Sequence, residues 1–155
     1  MASREAARAA AIAGFGGFVV IFALAELSQM SGALLLIAPF GASCVLVFAL
    51  PASPLAQPRN VIGGHLISTA LGLAAFMIFG ATPLGFAAGV GFATAAMLMT
   101  GTMHPPAGAD PIVVILAGAS WSFLIAPVLA GAVAIVIAGV AYHRALSGAA
   151  YPART

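Results

Sequence analysis

Charged residues are almost absent from the interior of this chain. Glu26, Arg59 and Asp110 are separated from one another by more than 30 residues that include no Asp, Glu, Lys or Arg. An apolar run of about 20 residues is enough to cross the hydrocarbon core of a bilayer as an α-helix. Only 5% of the residues are charged, against roughly 25% in soluble domains. The chain is therefore predicted to be an all-α, multi-span membrane protein with the lipid bilayer as its solvent.

Short polar or proline-containing turns separate the apolar runs. Predicted spans cover residues 9–27, 32–50, 61–79, 84–99 and 122–142, and a shorter apolar run covers 112–118. Residues 100–120 fit either a loop with a half-helix or a short, broken fifth span. The polar loops are too short for a soluble domain, so residues 1–155 are predicted to form a single transmembrane domain. The N-terminus resembles a signal peptide, but an uncleaved first span is favoured because the rest of the chain is also embedded.

The arginines favour six passes. With six passes, every arginine falls on the same side of the membrane: Arg4, Arg8, Arg59, Arg144 and Arg154. The turns on the other side, near Ser28, Thr82 and Ser120, hold none. A five-pass arrangement would put Arg144 and Arg154 outside. The positive-inside rule thus predicts a cell inner (plasma) membrane protein with both termini cytoplasmic.

Two interrupted spans share a short sequence pattern. Pro39–Ser43 and Pro106–Asp110 both read P-x-G-A followed by a small polar residue, and both lead into a valine-rich run 67 residues apart. Three passes reverse the direction of the chain, so a repeat of three spans is related to its copy by inversion. About six short transmembrane helices are therefore predicted as a 3+3 inverted repeat, with repeats at about 9–79 and 84–143 and a broken second helix in each half.

The predicted breaks suit an anion. Proline removes a helical hydrogen bond, and the freed backbone groups must face protein or water rather than lipid. Where the helix restarts, its first N–H groups carry partial positive charge. Two such starts facing each other would bind a small inorganic anion without lysine; the alternative is a kink used only for packing. The predicted substrate-binding residues at the breaks are Pro39, Gly41, Ala42, Ser43, Pro105, Pro106, Gly108, Ala109 and Asp110.

Side chains near the breaks complete the predicted site. His104 can donate to an anion or cap a helix end, and Asp110 is either an intramembrane functional acid or the N-cap before a proline. Arg59 and Asn60 either attract anions at a cytoplasmic mouth or anchor the loop. His65 lies one turn into the third span, where it is expected to bond a freed carbonyl at a break more readily than the anion itself.

Other classes of function find little support in the sequence. No metal-ligand spacing or nucleophile elbow is visible, so we expect no enzymatic activity, no metal and no cofactor. The arginines do not cluster, which argues against nucleic acid as a partner. Six short spans make a small body for a transport path, so a homo-oligomer is expected. The alternative function is a non-transporting structural or assembly module, in which the two breaks pack together without a polar cavity.

Three blocks in order resemble a known family. Thr102–Ala109, Leu35–Ser43 and Pro54–His65 are similar to the signature segments of the HPP family of integral membrane proteins. Members in chloroplasts and cyanobacteria are associated with nitrite transport, whereas bacterial members are mostly unassigned. The resemblance implies nitrite as the expected substrate, which agrees with the separate prediction of a small-anion site.

Overall fold

The computed structural model describes residues 2–153, and regular structure within that range is helical throughout. The α-helices are α1 (Ala2–Ser31), α2 (Pro39–Cys44), α3 (Pro58–Phe79), α4 (Pro83–Thr100), α5 (Asp110–Leu116) and α6 (Ala130–Tyr142). Single π-helical turns occupy Val45–Ala49, Ile125–Leu129 and His143–Ser147, and 3-10 turns occupy Pro54–Ala56, Pro105–Ala109 and Trp121–Leu124. The predicted all-α, multi-span class is confirmed. Arg154, used above for orientation, lies outside the described residues.

Four helices within the described residues are long and apolar enough to cross a membrane: Ser3–Ser31, Pro58–Phe79, Pro83–Thr100 and Trp121–Ser147. Two shorter apolar helices begin at the predicted breaks, Pro39–Ala49 and Pro105–Leu116. The second predicted span, 32–50, is therefore not a helix with a central interruption. Residues 33–38 form no helix and include a turn at Ala38. The helix starts at Pro39.

The first short helix is long enough to complete a crossing together with residues 33–38 before it. Six non-helical residues reach at most about 20 Å, and a helix such as Pro39–Ala49 adds roughly 15 Å at the α-helical rise. The sum exceeds the hydrocarbon thickness of about 30 Å. The backbone groups of such a non-helical segment need protein partners, since lipid offers none.

Prolines and one glycine set the bounds of the two central helices. Pro58 and Pro83 stand in the first turns of α3 and α4, where proline costs no hydrogen bond. The Thr82 side chain accepts from the Gly85 amide and caps α4. Gly101, at φ +64°, ends α4 in the left-handed conformation that favours glycine. These local signals explain why the predicted bounds of spans three and four lie close to the observed ones.

The segments that carry arginine meet at one end of the bundle. Arg8 near the start of α1, Pro51 after the second helix and Ser147 after α6 border one cavity. The Arg59 guanidinium at the start of α3 donates to the Thr100 carbonyl at the end of α4, at 2.6 Å. A common end for these segments is what an even number of passes requires.

Two glycine–valine contacts recur with the spacing of the P-x-G-A segments. A methyl group added to Gly72 would lie 2.9 Å from Val114 Cγ2, and one added to Gly139 would lie 2.5 Å from Val47 Cγ1. The two glycines are 67 residues apart in sequence, and so are the two valines. Each glycine thus receives a valine from the short helix of the other half. An inverted repeat would produce this exchange. The repeat itself stays a prediction.

The close approach at Gly72 gives a first testable prediction. A methyl group on Gly72 would lie 2.5 Å from the Pro111 backbone, which a rotamer change cannot relieve, whereas one on Gly91 would meet open space. We expect Gly72→Ala to cost about 1–3 kcal/mol of stability and Gly91→Ala to be neutral or stabilising by up to about 1 kcal/mol. Thermal unfolding of both variants in one detergent is the measurement. Equal midpoints would contradict the packing described.

Candidate functional site

One face of α3 carries small and polar residues against both breaks. Gly64, Ser68 and Gly72 recur every fourth residue and are buried, with His65 and Thr69 beside them. Residues at this spacing share one side of a helix, and small side chains let other backbones approach closely. A methyl group on Gly64 would lie 2.7 Å from Cβ of His104. The glycine therefore lets the His-Pro-Pro segment reach the polar face of α3.

Four buried side chains form a continuous hydrogen-bonded chain across this contact. The Ser43 hydroxyl lies 2.8 Å from Nε2 of His65 and 2.8 Å from Nε2 of His104. Nδ1 of His65 lies 2.7 Å from an Asp110 carboxylate oxygen, and Nδ1 of His104 lies 2.8 Å from the Leu55 carbonyl. Ser43, His65 and His104 are completely buried, and Asp110 is 1% exposed. We call Ser43, His65, His104 and Asp110 the buried network.

The backbone at the breaks is more completely bonded than the sequence suggested. Free N–H groups were expected at each helix start, but the Gly41 amide donates to the Ala38 carbonyl and the Ala107 amide to the His104 carbonyl. The Ala107 carbonyl accepts from the Ser68 hydroxyl at 2.6 Å. These amides therefore already have backbone partners. The chemistry at the two breaks rests on ionisable side chains instead.

Three local interpretations of the polar side chains were wrong. Ala109 is the N-cap of α5, and the Asp110 carboxylate accepts from Thr69 at 3.3 Å and pairs with His65 instead of capping the helix. The His104 side chain makes no cap hydrogen bond either. His65 bonds two side chains and not a freed carbonyl. For Asp110 and His104, a distant partner in the fold replaces the neighbouring backbone group that local sequence suggested.

Arg59 and Asn60 tie the start of α3 to the turn before the second break. Besides the Arg59 contact to Thr100, the Asn60 side chain donates to the Met103 carbonyl at 2.9 Å. Both residues therefore hold the backbone that leads into His104. Arg59 remains exposed, so its guanidinium can also meet solvent ions.

The remaining predicted residues divide by exposure. Pro39 and Pro106 are buried, and the Pro39 carbonyl accepts a second contact from the Ser43 hydroxyl at 3.2 Å. Gly108 is partly buried. Exposed residues, which do not belong to the buried network, are Gly41, Ala42, Pro105 and Ala109. The polar members of the two breaks, Ser43 and Asp110, are the ones that the fold brings together through His65.

The network can hold and move protons. Ser43, His65 and Asp110 are connected in the order of a nucleophilic serine triad, but the Ser43 hydroxyl is completely buried and faces a second imidazole. Within residues 2–153, Ser43 has no exposed surface at which a carbonyl substrate could meet it. Hydrogen-bonded serine, imidazole and carboxylate groups also pass protons, and this role requires no access for a bulky substrate. One carboxylate oxygen of Asp110 is buried without a partner among the described residues.

The sequence analysis missed three groups outside the buried network. The Thr69 hydroxyl and the Leu55 carbonyl bond its members, whereas the Ser68 hydroxyl bonds only the backbone beside it among the described residues. A signal existed for two of them, because Ser68 and Thr69 follow His65 by three and four residues and share its helix face. Nothing local marks the Leu55 carbonyl, which reaches His104 across 49 residues of sequence.

Comparison with known proteins places the chain among transmembrane proteins. Residues 2–152 match the family model described as HPP, transmembrane region. The chain belongs to the HPP family. It is 28% identical over 150 residues to one transmembrane protein of Dictyostelium discoideum, covering 91% of this chain and 53% of the relative. A second transmembrane protein of that organism is 30% identical over 125 residues, covering 76% of this chain and 40% of the relative.

The chain thus spans about half or less of the length of these curated relatives. No solved structure matches it. The family assignment and the apolar helices establish a multi-pass membrane protein.

Proposed function

We propose that the chain is a transporter or channel for a small inorganic anion, with nitrite as the first candidate. The main support is a shared imidazole: Ser43 and Asp110 both bond His65. These two residues occupy matching positions after the two P-x-G-A segments. Broken helices at corresponding positions of two repeats are characteristic of transporter binding sites. Nitrite comes from the family resemblance, and a small anion suits a compact site with two imidazoles.

The chemistry of the buried network supports this proposal. Ionisable groups inside membrane segments are costly and usually belong to ion pathways or proton relays. His104 bonds the Leu55 carbonyl and directly follows Met103, whose carbonyl Asn60 holds next to Arg59. We therefore expect an anion that passes Arg59 to reach His104 next.

Orientation and assembly belong to the same proposal. The end that carries Arg8 and Arg59 faces the cytoplasm of a plasma membrane, since positive residues are retained on that side. A homo-oligomer of such subunits supplies the size that six short crossings lack. No cofactor or nucleic acid enters this account.

A non-transporting structural module is the second candidate. The buried network favours it in one respect, because nearly every polar atom in it is already bonded within the protein. Such saturation is typical of a network that specifies one packing arrangement. The unpartnered oxygen of Asp110 and the number of ionisable groups favour transport instead.

Nitrite entry into vesicles separates the two candidates. The full chain is purified, reconstituted into liposomes and assayed at mildly alkaline pH, where little uncharged nitrous acid exists to cross the lipid. We expect initial nitrite entry several-fold above that of protein-free vesicles. Chloride and acetate are tested as competitor anions. Entry equal to the protein-free rate, from protein that elutes as a single folded species, would contradict transport and support the structural module.

A further inference from the structure

We infer that the buried network takes up one proton together with each monovalent anion, so that transport is electroneutral. This inference rests on the proposed function and adds its coupling ion. It follows from counting the hydrogens that the observed contacts require, and from the two acceptors available to the Ser43 hydroxyl. The side chains that carry it are Ser43, His65, His104 and Asp110.

Four hydrogen bonds link the network from Asp110 to Leu55. They join Asp110 to His65, His65 to Ser43, Ser43 to His104, and His104 to the Leu55 carbonyl. Each bond needs one hydrogen between its heavy atoms. Neutral imidazoles, one hydroxyl and an ionised carboxylate supply three hydrogens in total. The fourth must be an additional proton, which makes the network as a whole uncharged.

The fixed acceptor at Leu55 sets the direction of the chain. A carbonyl only accepts, so Nδ1 of His104 carries hydrogen and its Nε2 accepts from Ser43 while His104 is neutral. The Ser43 oxygen then accepts from Nε2 of His65. The additional proton therefore lies between Nδ1 of His65 and Asp110. Buried charge is balanced in this state, as a low-dielectric interior demands.

A second proton has a defined place. When it binds Nε2 of His104, that nitrogen becomes a donor, and the Ser43 hydrogen must turn to another acceptor. The Pro39 carbonyl lies 3.2 Å from the Ser43 oxygen and takes this role. Both imidazoles then donate to Ser43, every bond remains satisfied, and the network has a net charge of +1. Release reverses the steps, so that one proton is bound and one is returned.

An uncompensated positive charge in the membrane interior is unfavourable. One monovalent anion beside the network cancels it, which is why the second proton and the anion are expected to bind together. The other described ionisable groups on the neighbouring elements have separate contacts, and the Tyr151 hydroxyl donates to the Ala56 carbonyl. Cys44 packs towards Gly17 of α1, Arg59 bonds the Thr100 carbonyl, and His143 bonds the Val47 carbonyl and Ser147.

The coupling is tested with liposomes that contain the wild-type chain and nitrite outside. A pH gradient, alkaline inside, and a potassium–valinomycin potential are imposed in separate experiments, and rates of protein-free vesicles are subtracted. We expect the pH gradient to raise initial entry several-fold and the potential to leave it unchanged. Entry that follows the potential and ignores the pH gradient would overturn the coupling while leaving nitrite transport intact. Absence of entry would contradict the proposed function and the coupling with it.

Matched serine variants assign the coupling to the network. Ser43→Ala removes the oxygen between the two imidazoles, and we expect it to lose the acceleration by the pH gradient. Ser68→Ala removes an equally buried hydroxyl that, among residues 2–153, bonds only the Ala107 carbonyl, and it should keep the acceleration. Ser43→Thr retains a hydroxyl and is the control for loss of the acceleration through misfolding. Full pH-driven acceleration in folded Ser43→Ala would overturn the assignment.

Discussion

Replacing Asp110 with alanine is expected to cost about 3–5 kcal/mol of stability, the usual effect of removing one partner from a buried ion pair. His65 would keep a completely buried Nδ1 with no hydrogen-bond partner, and the Thr69 hydroxyl would lose its acceptor. On the scale that holds for folded chains of this size, the midpoint of thermal unfolding falls by roughly 6–20 °C. Circular dichroism in detergent measures that midpoint.

Two further variants separate the lost partner from the lost charge. Asp110→Asn places an amide N–H near Nδ1 of His65 and should retain most of the stability, because a neutral imidazole can accept that hydrogen. The double variant His65→Leu, Asp110→Ala removes both polar groups and should be less damaged than the sum of the single changes. Glu26→Ala, at an exposed acid on α1, is the control. A midpoint for Asp110→Ala equal to that of the control would contradict a paired, buried Asp110.

The helices could be predicted from the sequence because their signals are local. Pro58, Pro83 and Gly101 set helix bounds by their own backbone chemistry, and apolar runs report burial in lipid. The matching positions of Ser43 and Asp110 also followed from sequence alone. The form of the two short crossings did not, since the exact start of a helix after a non-helical segment depends on which protein groups accept the backbone hydrogen bonds.

The sequence analysis singled out the four residues of the buried network but not the hydrogen bonds between them. Asp110 before a proline carries every local sign of an N-cap, yet its carboxylate pairs with His65 across 45 residues. Local propensity could not foresee this partner, because it depends on Gly64 and Gly72 allowing the second break to approach α3. The carbonyl of Leu55 is equally invisible in sequence, since every residue carries one.

A variant of His104 tests whether the buried network lies on the path of the anion. Its imidazole bonds Ser43 and the Leu55 carbonyl, next to the segment that Arg59 and Asn60 hold in place. The charge of a protonated His104 attracts a monovalent anion about 6–10 Å away by about 1.5–3 kcal/mol at an effective dielectric constant of about 20. Its removal in His104→Ala is therefore expected to slow nitrite entry by roughly 10- to 100-fold.

His143→Ala is the matched control. His143 is also buried, and it bonds a backbone carbonyl and a serine, but its partners Val47 and Ser147 lie outside the network. Loss of general packing would slow both variants alike, so the ratio of their rates reports on the site.

The most direct measurement is thus the initial rate of nitrite entry into liposomes that carry equal amounts of folded wild-type chain, His104→Ala or His143→Ala. We expect His104→Ala alone to approach the rate of protein-free vesicles, while His143→Ala stays close to the wild type. Equal rates for the wild type and His104→Ala, both above the protein-free rate, would show that nitrite crosses without using the buried network and would contradict its role in transport.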